Sequence, residues 1–293
     1  MNVKRISIIG LGLIGGSLGL ALKQSMGTNV EIVGFARRPE VAKEAVRIAA
    51  VDKTAAQLVQ AVRDANIVII ATPVLAMKDI LQEIAGHLSP NTIVTDVGST
   101  KAQVLKWATE YLPPTVAFIG GHPMCGKETS GIDEAEAGLF KDCVYCLTQD
   151  SNSSKEALAQ MEDIVNAVGA RSVVLDAEMH DQLVAGISHL PLLLSSTLVS
   201  TLSKSLLWPE MSKLAATGFL DMTRLASGDP ELYRGICMTN QHAISDWIDK
   251  YIDALREYQR TVMADDHELQ KTLQEAREVR KKWLDNEGYR YKK

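Results

Sequence analysis

The chain has 293 residues, 46% hydrophobic and 23% charged, with a formal net charge of −5. Such a length suits two soluble domains, since single cores stop growing at roughly 250–300 residues. The acidic balance leaves no basic stripe to gather phosphates, which argues against a nucleic-acid partner. No uninterrupted apolar run approaches membrane-spanning length, and the chain opens on a strand-like run, not on a basic-then-apolar leader, so a cytoplasmic protein is expected.

The stretch Arg5–Gln24 reads RISIIGLGLIGGSLGLALKQ: an apolar strand, a glycine turn and a small-residue helix. Gly10 permits the turn, Gly12 lets a pyrophosphate approach bare backbone, and Gly15 lets the helix lie close on the sheet. The helix start, at Leu13 and Ile14, supplies N–H groups and partial positive charge for phosphate. A second strand, Val30–Phe35, ends in Ala36-Arg37-Arg38, where NAD-preferring sites place Asp or Glu. With no acid there, Arg37 and Arg38 are able to meet a 2′-phosphate through charge-assisted hydrogen bonds. NADP is therefore the expected cofactor. NAD is the alternative if both arginines are only surface charges.

A helix follows to about Ala50, another spans Gln57–Ala65, and the strand Ile67–Ala71 delivers Thr72-Pro73 before a helix over Met77–His87. Thr92–Asp96 ends in Val97-Gly98-Ser99-Thr100-Lys101, and Val116–Ile119 leads into a Gly120-Gly121-His122-Pro123 turn. Strands over Cys143–Thr148 and Ser172–Leu175 flank a helix over Glu156–Val168. This alternation predicts an α/β fold, a Rossmann-type doubly wound parallel sheet with ligands at the strand tips. Thr72, Ser99 and His122 are the chemistry-capable tip residues, and Lys101 reads as a surface charge at a helix start. Cys143 and Cys146 have CxxC spacing, but residues three apart on a strand point to opposite faces, so buried reduced thiols are expected.

From Ala177 the pattern is all helical, with breaks expected at Pro191, Pro209, Gly218 and Gly228-Asp229-Pro230. The expected division is a dinucleotide-binding domain, 1–175, and an all-α substrate and dimerisation domain, 176–293. LPLLLSSTLVSTLSKSLL around Pro191 is more apolar than a surface helix needs, which suggests burial on several sides at a homodimer interface. The tail from Gln259 reads as a solvated helix. His122, at a strand tip beside a nicotinamide, suits a base that takes a hydroxyl proton as hydride leaves the same carbon, or else a turn-stabilising histidine. Ser99 is placed to relay a hydrogen bond to that hydroxyl.

GLGLIGGSL, TDVGSTK, GGHPMCGKETSG, ISHLP and GFLDMTR, in this order, closely resemble the prephenate/arogenate (cyclohexadienyl) dehydrogenase family of tyrosine biosynthesis, from Ile6 to about Asn240. The resemblance implies NAD(P)-dependent oxidative decarboxylation of a small-molecule substrate to 4-hydroxyphenylpyruvate or tyrosine, in a cleft between the two domains and without a metal. It implies that His122 is the base, Ser99 its helper, and His189 with Arg224 the substrate-binding pair. Read alone, His189 equally caps a helix break and Arg224 equally pairs with Asp221. Glu128 reads either as a gate or as a solvated side chain. Cys125 stands where relatives commonly carry an alanine-like residue. Leu220 stands where many carry Lys or Arg, which is expected to weaken discrimination for prephenate over arogenate. No room is expected for a further regulatory or mutase domain. The alternatives are a 3-hydroxyacid/6-phosphogluconate-like dehydrogenase, whose catalytic Lys is replaced here by His180 and His189, and a non-catalytic NADP-binding sensor.

Overall fold

The computed structural model describes residues 3–127, 129–149, 153–264 and 266–287. Strand β1 (Arg5–Ile9) is apolar on both sides because both are covered. Ile6 and Ile8 join one core with α1 (Leu13–Met26), whereas Ile9 joins a second core on the opposite face. β4 (Ile67–Ile70) divides in the same way, Ile67 and Ile69 to the first core and Val68 and Ile70 to the second. α2 (Pro39–Arg47) and α6 (Lys155–Ala167) also supply the first core. α3 (Leu58–Val62), α4 (Val74–Ile84) and α5 (Ala102–Tyr111) supply the second.

These layers enclose an eight-stranded sheet ordered β3-β2-β1-β4-β5-β6-β7-β8. The remaining strands are β2 (Glu31–Phe35), β3 (Lys53–Thr54), β5 (Ile93–Asp96), β6 (Ala117–Pro123), β7 (Val144–Gln149) and β8 (Arg171–Val174). The chain steps outward from β1 to β3 and then returns to β4 on the other side of β1. Such a reversal opens a crevice at the carboxyl ends of β1 and β4, where ligands of doubly wound sheets bind.

All pairs are parallel except β6–β7, which is antiparallel with Ile119 opposite Gln149 and Pro123 opposite Tyr145. The expected Rossmann-type parallel sheet is thus met with one antiparallel pair, whereas the expected turn at residues 120–123 is corrected. Gly120, Gly121, His122 and Pro123 are strand residues, because β7 supplies partners beyond the point where β5 ends. The two glycines serve proximity, not turning. A Cβ on Gly120 would stand 2.5 Å from Thr148 Oγ1, and one on Gly121 would stand 2.5 Å from the Asp96 carbonyl oxygen.

The break expected at Pro191 is also absent. α7 (Ala177–Val184), a π-helical turn over Ala185–His189 and α8 (Leu190–Leu202) form one continuous helix of 26 residues. The Leu190 N–H bonds the Ala185 carbonyl, five residues back, and Pro191 lies in the first turn of the resumed α-helix, where a missing N–H is tolerated. By length and composition this helix is able to cross a membrane, although Glu178, His180, Asp181 and His189 interrupt its apolar run. Its buried His180, Asp181 and His189 instead pack it on the sheet unit through the hydrogen bonds described below. α8 buries only Leu190, Leu192 and Ser195, so the burial expected on several sides is not met within one chain. α9 (Trp208–Leu214), α10 (Thr217–Thr223), a 3-10 turn (Arg224–Ser227) and α11 (Pro230–Thr239) follow, and Leu206, Leu207, Leu214, Leu220 and Met222 are exposed.

By compactness, residues 1–241 form one unit and 242–293 a second, built from α12 (Gln241–Ala264) and α13 (Asp266–Glu287). The described part of the tail is helical and mostly exposed, as its charge pattern requires.

Gly19→Ala tests the α1 packing. Helix propensity favours Ala by about 1 kcal/mol, yet its Cβ would stand 2.1 Å from the Ala50 carbonyl oxygen. Overpacking against backbone outweighs propensity, so urea unfolding is expected to show a net loss of about 1–3 kcal/mol. Gly86→Ala, with no heavy atom within 4 Å of its Cβ, is the control.

Candidate active site

β5 ends in Asp96, which is wholly buried. Its Oδ1 accepts from the Gly121 N–H at 3.1 Å, and its Oδ2 accepts from the Gly98 N–H at 2.8 Å and from Lys101 Nζ. Lys101 Nζ also donates to the Gly121 carbonyl at 2.6 Å. Lys101 is 1% exposed, which overturns its reading as a surface charge. Burial pushes its ammonium down, and Asp96 pulls it back up.

This ion pair sets β6 so that His122 faces α7. His122 Nδ1 lies 2.9 Å from His180 Nε2, and His180 Nδ1 lies 2.8 Å from Asp181 Oδ1. The Asp181 carboxylate also takes the Lys101 and Ala102 N–H groups at 2.8 and 3.0 Å, capping α5. Those bonds assign the tautomers. An ionised carboxylate only accepts, so His180 carries its proton on Nδ1 and accepts at Nε2 from the His122 Nδ1–H. The lone pair of His122 is therefore on Nε2. Burial, reinforced by the charges of His180, Lys101 and His189, holds His122 well below the ordinary histidine pKa. Its imidazole is neutral, with a lone pair on Nε2 able to accept a proton.

Asn240 extends the chain: its Nδ2 donates to the Asp181 carbonyl at 2.7 Å and lies 3.2 Å from His189 Nδ1. Nδ1 then accepts, and the His189 proton sits on Nε2. That atom is buried with no hydrogen-bond partner of good geometry among the described residues, and the Ser99 backbone lies beside it. Burial lowers the His189 pKa to about 4. Ser99 itself is half-buried in the loop between Asp96 and Lys101. The structure thus brings His122, Ser99 and His189 together. Arg224 is exposed at the start of the 3-10 turn, which is tied to α8 by a 2.9 Å bond from the Ala226 N–H to Ser195 Oγ. Glu128 lies outside the described residues.

At the β1–β4 crevice, Gly10 has φ +95°, and a Cβ there would stand 2.4 Å from the Ala71 carbonyl oxygen. A Cβ on Gly15 would stand 1.9 Å from the Gly10 carbonyl oxygen, whereas one on Gly12 would meet open space. No described side chain caps α1 and no acid occupies its first turn, so the N–H groups of Leu13, Ile14 and Gly15 lack helical acceptors. Thr72 Oγ1 is buried without a described partner, and Pro73 immediately precedes α4 as its N-cap. A bare cradle, an uncapped helix start and an orphaned hydroxyl fit a dinucleotide phosphate. Arg37 and Arg38 are exposed beyond β2, with Arg38 Nε 4.0 Å from the Glu40 carboxylate.

Residues 18–174 match the family model described as "Prephenate dehydrogenase, nucleotide-binding domain", and 176–275 match "Prephenate dehydrogenase, dimerization domain". The chain belongs to the prephenate dehydrogenase family. It is an oxidoreductase of tyrosine biosynthesis with a nucleotide-binding Rossmann unit. It is 36% identical to the prephenate dehydrogenase of Bacillus subtilis strain 168 over 258 residues, covering 86% of this chain and 69% of that one. A Synechocystis arogenate dehydrogenase structure is similar at 31% identity and a TM-score of 0.82, over 95% of this chain and 99% of that one. The structure of the Aquifex aeolicus prephenate dehydrogenase with hydroxyphenyl propionate and NAD+ is similar at 27% identity and 0.89, over 96% and 99%.

The residues that sequence reasoning missed as parts of the site are His180, Asp181, Asn240, Asp96 and Lys101. Their signal was present but faint: polar side chains in otherwise apolar elements.

His122 and His189 also make stability pH-dependent. Both are held below the value of about 6.5 they regain on unfolding, so the unfolded chain binds more protons in weak acid. Stability is expected to fall as pH drops below about 6.5, with the His189 share fully lost near pH 4. Thermal melts at pH 7.5, 6 and 5 should show the decline, and His189→Asn should flatten it.

Proposed function

We propose that this chain oxidises and decarboxylates prephenate, arogenate or both, with His122 as the base. The observation that carries the reading is the Asp181–His180–His122 chain, which leaves the lone pair on His122 Nε2. The bound nicotinamide dinucleotide supplies a hydride acceptor. His122 takes the proton from the ring C4 hydroxyl as that carbon becomes a carbonyl, and Ser99 hydrogen-bonds the same oxygen. The C1 carboxylate leaves as carbon dioxide, driven by aromatisation. His189 offers its Nε2–H to the substrate. Arg224 acts in positioning, since tight ground-state pairing with a carboxylate that must leave would slow its loss.

Gly10, Gly12, Leu13, Ile14 and Gly15, with Thr72 and Pro73, are the proposed cofactor contacts. Arg37 and Arg38 favour NADP over NAD. The NAD+ in the Aquifex aeolicus structure belongs to a chain only 27% identical, and so leaves that choice to measurement. We place residues 176–293 in a helical domain that binds substrate and dimerises. The match to a dimerization domain and the thinly buried α8 support a homodimer. Four cysteines without disulfides are in keeping with a cytoplasmic enzyme.

Initial rates with prephenate or arogenate, each with NADP or NAD, test the reading. Turnover is expected with at least one substrate and faster with NADP. Silence in all four from folded protein that still binds NADP would overturn it in favour of a sensor. His122→Asn is expected to lower kcat by about 10²–10⁴. His180→Asn, which leaves His122 unoriented, should lower kcat more than it raises KM and shift the acid limb of the pH–rate profile.

Leu220 is exposed on α10. If the missing cation there weakens discrimination, Leu220→Lys raises the ratio of prephenate to arogenate kcat/KM. An unchanged ratio removes Leu220 from substrate selection.

A further inference from the structure

The antiparallel junction of the sheet places two cysteines opposite each other. The β6–β7 register runs from Ile119 opposite Gln149 to Pro123 opposite Tyr145. It continues past the strand ends, because the Met124 N–H bonds the Val144 carbonyl at 2.8 Å. Met124 and Val144 thus share one of the two bonds of a hydrogen-bonded pair. In an antiparallel ladder the next pair is of the other kind, with Cα atoms about 4.5 Å apart and side chains closer. That next pair is Cys125 and Cys143.

A disulfide requires Cα atoms about 4.4–6.8 Å apart, the spacing that a non-hydrogen-bonded antiparallel pair provides. Both cysteines are partly exposed and unbridged, and each thiol shifts the other's ionisation. The neighbouring Cys125 thiol, helped by the Arg171 charge, outweighs burial and holds the Cys143 thiol below its ordinary range. Cys125, beside Cys143 and partly buried, is pushed up. One sulfur is therefore the better nucleophile and the other retains the proton. The CxxC partner of Cys143 is excluded by the same ladder: Cys146 stands opposite His122, on the other face of the sheet.

We propose that Cys125 and Cys143 form a reversible disulfide that draws the segment after His122 onto the start of β7 and slows the enzyme. The oxidant is a hydroperoxide. The Cys143 thiolate attacks the peroxide O–O bond, forming an S–O bond and releasing hydroxide or alkoxide. The Cys125 sulfur then attacks the sulfenic sulfur, the S–S bond forms and water leaves. With hydrogen peroxide the sum is two thiols and one peroxide giving one disulfide and two waters. The two sulfurs give up two electrons, and a dithiol reductant reverses the step. Formation of the bond is independent of the substrate reading. Its effect on turnover rests on that reading, because Cys125 lies three residues after the proposed base.

The test uses the full chain, reduced and then treated with equimolar hydrogen peroxide, alkylated, digested without reductant and weighed by mass spectrometry. The expected product is one cross-linked peptide pair joining Cys125 to Cys143, two hydrogens lighter than its parts and abolished by dithiothreitol. It should be absent from Cys125→Ala and Cys143→Ser proteins that melt like the parent. Links through Cys146 or Cys237, sulfinic acid alone, or unmodified thiols would overturn the proposal. In parallel, the oxidised parent should lose turnover several-fold and regain it with dithiothreitol, while Cys125→Ala does not respond. A complete cross-link with unchanged turnover would overturn the slowing. A protein without dehydrogenase activity in the reduced state would instead refute the substrate reading and leave the mass result standing.

Discussion

The buried Asp96–Lys101 pair is the constraint on which the rest of the site depends. A lone charge in this interior would be untenable, and removing one partner of such a pair typically destabilises by about 3–5 kcal/mol. Asp96 meets the requirement by accepting from Lys101 and from two backbone N–H groups, those of Gly98 and Gly121. Satisfying it draws β6 against the tip of β5, and the space it needs keeps residues 120 and 121 without side chains. His122 is the first residue beyond that crowded pair with room for a ring. Its place follows from a charge that need not touch substrate, and its neutrality follows first from its own burial.

The Asp181 carboxylate performs two tasks. It terminates the histidine relay and caps α5, so the start of that helix and the orientation of the base are set by one group. Asn240, donating to the Asp181 carbonyl and facing His189, ties the end of α11 to the same point. Relay, cap and His189 form one hydrogen-bonded assembly, and displacement of any member is felt by the others.

The parts legible in the sequence are those whose signal is local. The glycine turn at residues 10–15 and the apolar runs of β1, β4 and β5 carry their reasons within a few residues, and the resemblance of ISHLP and GGHPM pointed to His189 and His122. Gly-Gly-His-Pro was misread because glycine and proline signal turns, and nothing nearby reveals that β7 and Asp96 demand small residues in a strand. Lys101 was misread because its partner is buried with it. The link from His180 to His122 and that from Asp181 to Lys101 are invisible in the sequence because those partners lie 58 and 80 residues away. Pro191 looked like a break because its tolerance depends on a change of helical type just before it.

That change has a geometric consequence. In an uninterrupted α-helix, residues nine apart, such as positions 180 and 189, would project roughly 180° from each other. A π-turn counts as one inserted residue, so the effective separation is eight α-helical positions and the angle falls to roughly 80°. The extra residue between Ala185 and His189 thus turns two histidines from opposite sides of a rod toward one side of it. The phase of the two histidines therefore depends on helical type as well as on sequence. Regularising the π-turn to α-helix at its present length would swing His189 to the far side of the rod, whereas a plain α-helix one residue shorter would keep the two histidines in phase.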